Sequence, residues 1–146
     1  MTETLIDNTE IRIPRKLANQ LLHLAQLSPD LEICGLIGSL NSIPSTCYPV
    51  DNIAKQPQQR FQLDGKQQIA AMVAMRNQGE ELFAIYHSHP KAPAEPSIYD
   101  LEAVAYPDAL YLIISLNTKG VLEMRGFKVS QQKANEVVLM MVEELS

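Results

Sequence analysis

The sequence predicts an α/β fold: a single domain built on a mixed β-sheet with helices packed on its faces. Three observations carry the prediction. Apolar runs of strand length alternate with stretches whose apolar residues recur at helical spacing. The two kinds of segment come in mixed order, about four helices and five or six strands, which fits two or three layers. The chain has 146 residues, 46% of them hydrophobic, and no repeat, low-complexity tract or linker. That is enough for one sizeable core spanning residues 1–146.

The opening MTETLIDNTE is polar and acidic. It reads as neither a signal nor a transit peptide, and residues 1–10 are expected to be a flexible tail. Pro14 suits the first turn of a helix, and Leu17, Leu21, Leu24 and Ala25 recur as its buried face. His23 falls beside that stripe and is expected to face solvent. Ser28-Pro29-Asp30 ends the helix. The run Ile33–Leu40 (ICGLIGSL) reads as a strand, Asn41-Ser42 as a turn, and a second strand ends near Val50, making a hairpin. Counting about that turn places Cys34 and Cys47 near each other, both as buried reduced thiols. Two cysteines without a C-x-x-C pairing are no disulfide framework.

Asp51-Asn52 leads into a polar loop, AKQPQQR, before Phe61-Gln62-Leu63. Asp64 is placed to cap a second helix carrying Ile69, Met72, Val73 and Met75, with Gly79 as its C-terminal stop. Leu82 to Tyr86 is a short apolar strand. Ser97 opens a third helix, with Leu101, Val104 and Ala105, which must stop before Pro107. Ala109 to Leu116 reads as a fully buried strand, Asn117 to Gly120 as a turn, and Val121 to Val129 as an antiparallel partner. Ser130 is then expected to cap a final helix with Ala134, Val137, Val138 and Met141 on one side.

No run is long enough to span a bilayer, so a soluble, cytoplasmic protein is expected. A net charge of −5 without a basic cluster argues against nucleic acid as partner. Whether the chain forms a homodimer is left open, the Met-rich C-terminal segment being the surface it would use.

The chemistry concentrates between Ala84 and Asp100, in AIYHSHPKAPAEPSIYD. If the strand continues past Tyr86, its period of two puts His87 and His89 on one face. Ser97 and Asp100 form the S-x-x-D version of a capping box. Pro90, Pro93 and Pro96 make a stiff, exposed connection able to fold the carboxylate back towards the imidazoles. Two nitrogens and a carboxylate oxygen suit a tetrahedral zinc whose fourth position is left to water. A lone histidine is more often a core or surface residue, and an aspartate in a first turn usually just answers the helix dipole. The weight lies in all four residues at fixed spacing after an apolar strand.

These residues resemble the signature of the JAMM (MPN-plus) zinc metalloproteases, in its prokaryotic form. That signature is an upstream glutamate, H-[ST]-H-P, seven residues from the second histidine to a serine, and S-x-x-D. The matching residues are Glu32, His87, Ser88, His89, Pro90, Ser97 and Asp100. YPVDNIAKQPQQRFQLD and AYPDALYLIISL add to the likeness, which spans about residues 12 to 130. The resemblance implies the MPN, cytidine-deaminase-like three-layer architecture. It implies one Zn²⁺ per chain on His87, His89 and Asp100, with Glu32 and Ser97 as the catalytic residues. Glu32 would move the proton from water to the leaving amine, and Ser97 would hydrogen-bond the oxyanion. Ser88, pointing away from the ligands, would brace the loop.

KAPAEP departs from the GFGCW-type segment of the eukaryotic deubiquitinases, and their ubiquitin-holding insertions have no room here, which argues against ubiquitin as substrate. Small bacterial members resemble peptidases that cut after the C-terminal Gly-Gly of ubiquitin-like sulfur-carrier proteins, releasing cysteine in one such pathway. That tail is the expected partner. Two other readings are an inactive MPN scaffold, which would typically lose a ligand, and a zinc deaminase, whose H-x-E and P-C-x-x-C are absent.

Overall fold

The computed structural model describes residues 5–102, 106, 109–117 and 123–143, with side chains from residue 9 onward. Its elements in chain order are β1 (Leu5–Pro14), α1 (Arg15–Gln26), β2 (Cys34–Leu40), β3 (Ile43–Val50), α2 (Gly65–Asn77), β4 (Glu81–His89), α3 (Ile98–Glu102), β5 (Leu110–Ser115), β6 (Glu123–Ser130) and β7 (Lys133–Val142). The strands form one seven-stranded sheet in the order β1-β7-β6-β5-β4-β2-β3. The pairs β1–β7 and β4–β5 are parallel and the others antiparallel, so the sheet is mixed.

The period-two alternation of the strands divides the core between the two faces of the sheet. Ala84 and Tyr86 of β4 and Leu110, Leu112 and Ile114 of β5 pack with Leu17, Ala18, Leu21 and Ala25 of α1. Ile85 of β4 and Tyr111 and Ile113 of β5 turn the other way, to Ala71 and Met75 of α2. The result is three layers, helix, sheet and helix. Fully burying side chains such as Leu21 and Leu112 contributes about 1.5–3 kcal/mol each.

Turn chemistry is local and specific. Asn41 and Ser42 both have positive φ, 51° and 67°, the conformation of a tight hairpin turn whose twist matches that of the flanking strands. Gly79 ends the α2 segment at φ 72°, where a side chain would be strained. Asp64 caps α2 as expected, its carboxylate accepting from the Lys66 and Gln67 N–H groups at 3.0 and 3.1 Å.

Four expectations are corrected. The final segment is strand β7, not a helix: it pairs with β6 from Gly126↔Val137 to Ser130↔Lys133 and runs parallel to β1. Residues 5–10 belong to β1 and are no flexible tail, because β7 gives them a partner. On α2, Ile69 is 67% exposed and Val73 46%, while Ala71 and Met75 are the buried residues. Cys34 lies opposite Val50, and Cys47 opposite Ile37; both are free thiols, Cys34 buried and Cys47 half-buried. Burial pushes the Cys34 thiol up to about 12, Glu32 and Asp51 adding to the effect.

Three helices and seven strands are present among the described residues. Val104, Ala105 and Pro107, and residues 118–120 of the expected turn, lie outside the described residues. Among the described residues no helix is long and apolar enough to cross a membrane.

Candidate metal centre

The centre is assembled by strand register. β4 carries His87 and His89 at its C-terminal end, both on the α2 face of the sheet. β2 runs antiparallel to β4 with Cys34 opposite His87, so the residue two positions before β2 arrives beside the histidines. That residue is Glu32. Its backbone is fixed by Glu32 N–H donating to Pro57 O at 2.8 Å. Ser88, on the opposite face, ties the same junction. Its Oγ accepts from Ile33 N–H at 2.9 Å, and its own N–H donates to Ile33 O at 3.0 Å.

The segment from Pro90 to Pro96 is less exposed than its composition suggests, since Pro90 and Ala94 are buried. Ser115 Oγ–H donates to Ala92 O at 2.7 Å, and Leu116 N–H donates to His89 O at 3.1 Å. These bonds turn the chain back so that α3 begins over the histidines. At its start the capping box is reciprocal. Asp100 N–H donates to Ser97 Oγ at 3.1 Å, and Ser97 N–H donates to Asp100 Oδ2 at 2.8 Å.

The structure brings together Glu32, His87, His89 and Asp100, with one donor atom from each lying within 4.8 Å of all the others. Three of these atoms form a near-equilateral triangle. His87 Nε2 is 3.2 Å from His89 Nε2 and 3.1 Å from Asp100 Oδ2, and His89 Nε2 is 3.2 Å from the same oxygen. Ligands at about 2.0–2.1 Å on a tetrahedron around zinc stand roughly 3.3 Å apart, so the triangle fits a small tetrahedral cation. His89 Nδ1 lies 2.7 Å from Pro93 O. A carbonyl only accepts, so Nδ1 carries the proton and the Nε2 lone pair faces the centre. His87 is held by stacking, its ring 4.3 Å from that of Phe61 and tilted by 21°.

Burial sets the electrostatics. His87 is 1% exposed, His89 2% and Glu32 4%. Burial pushes the Glu32 carboxyl up to about 8, with His89 opposing the shift and Asp100 adding to it. Burial would also raise Asp100, but His87, His89 and the Ser97 N–H outweigh it and hold the carboxyl far below the usual range. For His89 burial works against the charge, and Asp100, the Pro93 carbonyl and Glu32 together leave its pKa above the ordinary value. Glu32 Oε1 and His87 Nδ1 are buried without hydrogen-bond partners among the described residues. A buried carboxylate oxygen left unpaired beside such a triangle is placed for a ligand or a proton in transit.

Ser97, the remaining expected site residue, borders the same cleft as Glu32 and His89. Its Oγ accepts the Asp100 N–H, so its own hydroxyl proton is not used by the cap and remains available to donate.

Sequence reasoning missed Asn52. Its side-chain amide donates to Glu32 O and Arg60 O, both at 3.0 Å, and its Oδ1 accepts from the Ala54 and Gln62 N–H groups, also at 3.0 Å. One side chain thereby closes the loop from 52 to 62 and holds Glu32 against it. The available signal was an Asn two residues after a strand at the head of a polar loop, where such side chains satisfy backbone groups.

Residues 14–127 match a family model described as prokaryotic homologs of the JAB domain. The desampylase of Haloferax volcanii is 30% identical over 89 residues, covering 60% of this chain and 64% of its own, a little under two thirds of that relative. The CysO-cysteine peptidase of Mycobacterium tuberculosis is 28% identical over 124 residues, 84% of each chain. A solved JAB1/MPN domain protein from Archaeoglobus fulgidus superposes with a TM-score of 0.63 at 18% identity, covering 92% of this chain and 100% of that one. At that identity the likeness is one of fold, and it agrees with the three layers described above. With the family model covering most of its length, the chain belongs to the prokaryotic homologs of the JAB domain.

Proposed function

We propose that this protein is a cytoplasmic zinc metallopeptidase of the JAMM type. It hydrolyses the bond after the C-terminal Gly-Gly of a small ubiquitin-like sulfur-carrier protein and releases an amino acid such as cysteine or a short peptide. The observation that carries the reading is the triangle of His87, His89 and Asp100 with the unpaired Glu32 carboxyl beside it. His87, His89 and Asp100 hold one zinc ion per chain. When bound, zinc supplies a Lewis acid and a water of lowered pKa.

The chain's own residues do the rest. Glu32 accepts a proton from the attacking water and returns it to the leaving amine. A carboxyl raised towards neutrality by burial is suited to both halves of that transfer. Ser97 donates its free hydroxyl proton to the oxyanion that develops as the carbonyl is attacked. Asn52 and Ser88 keep Glu32 in place through its own carbonyl and the N–H of Ile33. The cleft beside Glu32, His89 and Ser97 is about 470 Å³ and is lined on one side by Pro90 to Ala92 and on the other by Gln58 and Gln59. A narrow, extended chain enters such a space, and glycines before the cut let its backbone approach closely. Two relatives bear names of this kind, one a desampylase and one a CysO-cysteine peptidase. An inactive scaffold is the less favoured reading, since all four residues of the centre are present and converge.

The test offers the zinc-loaded protein a carrier ending in Gly-Gly-Cys, the same carrier with both glycines changed to valine, and casein. The first should lose its cysteine, and the other two should react about 100-fold more slowly or less, a positioning loss of the usual size. Similar rates for all three would leave a general peptidase and rule out the tail-specific reading.

A further inference from the structure

Among the described residues a third buried polar atom lacks a partner, Arg60 Nε, and nothing in the reaction above uses it. The guanidinium lies over the Tyr99 ring, 3.7 Å from its centroid, and forms no ion pair among the described residues. It is fixed close to the centre from both sides. Its neighbour Phe61 stacks on His87, and Tyr99 immediately precedes Asp100. Arg60, Lys55, Gln56 and Gln62 line an open cleft of about 600 Å³ that Phe61 and Asp100 border on the metal side. Among the described residues, exposed Glu102 is the one other acid lining it. This cleft and the one beside Glu32 and Ser97 thus approach the ligand set from two directions, which gives each side of a scissile bond its own space.

A stacked guanidinium is held rigid, and its planar fork of donors matches a carboxylate. On the reading given above, the group that leaves is one or two residues long and carries a free α-carboxylate a few bonds from the scissile nitrogen. We propose that Arg60 binds this terminal carboxylate. The inference rests on the peptidase reading and sharpens it: the enzyme trims a short free-ended extension from the carrier. It works poorly on a carrier joined through a lysine side chain, where no carboxylate stands at that place.

The experiment compares two carriers, one ending in Gly-Gly-Cys with its free carboxylate and one with the same end as an amide, cleaved by the wild-type protein and by Arg60→Gln. The wild type should prefer the acid by about 10- to 100-fold in kcat/KM, the size of a charge-assisted pair. Arg60→Gln should cleave the acid more slowly by that factor and the amide at nearly the wild-type rate, with metal content and melting temperature retained. Binding of the two carriers to Glu32→Gln, which does not turn them over, should show the same preference. Equal cleavage of acid and amide by the wild type overturns the carboxylate site while leaving the peptidase reading standing. The wild-type comparison decides the matter even if Arg60→Gln fails to fold. An equal loss on both carriers in a folded Arg60→Gln reduces Arg60 to a support for Phe61 and Tyr99, and also overturns it. Cleavage of neither carrier sinks both readings together.

Discussion

Asp100 Oδ2 accepts the Ser97 N–H at 2.8 Å and stands 3.1 and 3.2 Å from two imidazole nitrogens. Those contacts keep the carboxyl ionised in a place where burial alone would neutralise it. Its charge is therefore as necessary to the centre as its position. Asp100→Asn preserves the shape and removes the charge, and should lose most of the bound zinc when metal content is measured after dialysis; full occupancy would remove Asp100 from the ligand set. Glu32→Gln should behave in the opposite way. It should retain metal and fold, while peptidase activity falls by roughly 100-fold or more, the loss expected for a missing general base. An active Glu32→Gln would return Glu32 to the status of a buried acid without a role. Ser97 gives an Oγ lone pair to the cap, and on the proposed reaction its hydroxyl proton goes to the oxyanion. Ser97→Ala should cost about 1 kcal/mol of stability and roughly 10- to 1000-fold in turnover. Ser97→Gly should recover most of the stability and none of the rate.

Among the elements, the β6–β7 hairpin shows what the sequence hid. Its turn residues, Gln131 and Gln132, have φ of 52° and 61°, a conformation usually announced by Asn or Gly. Without that signal, Ala134, Val137, Val138 and Met141 fit helical spacing as well as a strand. Pairing on both sides, with β6 and β1, decided for the strand. The misreading of β7 also concealed β1, whose partner it is. The elements of the candidate centre were legible because their signals are local: two histidines at strand period, a capping box four residues long, and Asn41-Ser42 closing the hairpin that places Glu32. Asn52, Phe61 and Arg60 were not, because each acts through a contact the spacing of residues does not reveal. Replacing Gln131-Gln132 with Asn-Gly should raise stability by about 0.5–1 kcal/mol in chemical denaturation; a loss would contradict a two-residue turn there.

The Glu80 carboxylate is a second tie at this scale. It accepts from the hydroxyls of Ser45 at 2.6 Å, Thr46 at 2.7 Å and Tyr48, pinning edge strand β3 to the start of β4. Burial would raise its pKa, but these three donors outweigh it and hold the group below its ordinary value. A lowered folded-state pKa means stability that is present above the unfolded value and is lost as pH falls through the folded one. Glu80→Gln should accordingly be less stable than wild type at pH 7, by about 2 kcal/mol. The gap should shrink as the pH drops below about 4.5. A gap that stays constant down to pH 3 would assign the effect to packing alone.

On the scale of the whole molecule, the centre joins the start of β2 and the end of β4, which the sheet pairs directly, to the first turn of α3, which lies outside the sheet. α3 is five residues long and buries no residue fully, so its place over the sheet depends on the capping box and Asp100 together with the partly buried Leu101. A cation held by His87, His89 and Asp100 binds the folded chain and finds no such triangle in the unfolded one. It must therefore stabilise the whole fold by mass action. With zinc at about 100 times its dissociation constant the gain is roughly 2.7 kcal/mol, or on the order of 5–10 °C in Tm for a domain of this size. Thermal melting of the zinc-loaded protein with and without a chelator measures it directly. The shift should survive in Glu32→Gln, which keeps all three ligands, and vanish in Asp100→Asn. A shift of equal size in both variants would show that zinc is bound somewhere else. Identical melting of the wild type with and without metal, at confirmed stoichiometry, would mean that the unfolded chain binds the ion as tightly as the folded one, and would overturn a site built only by folding.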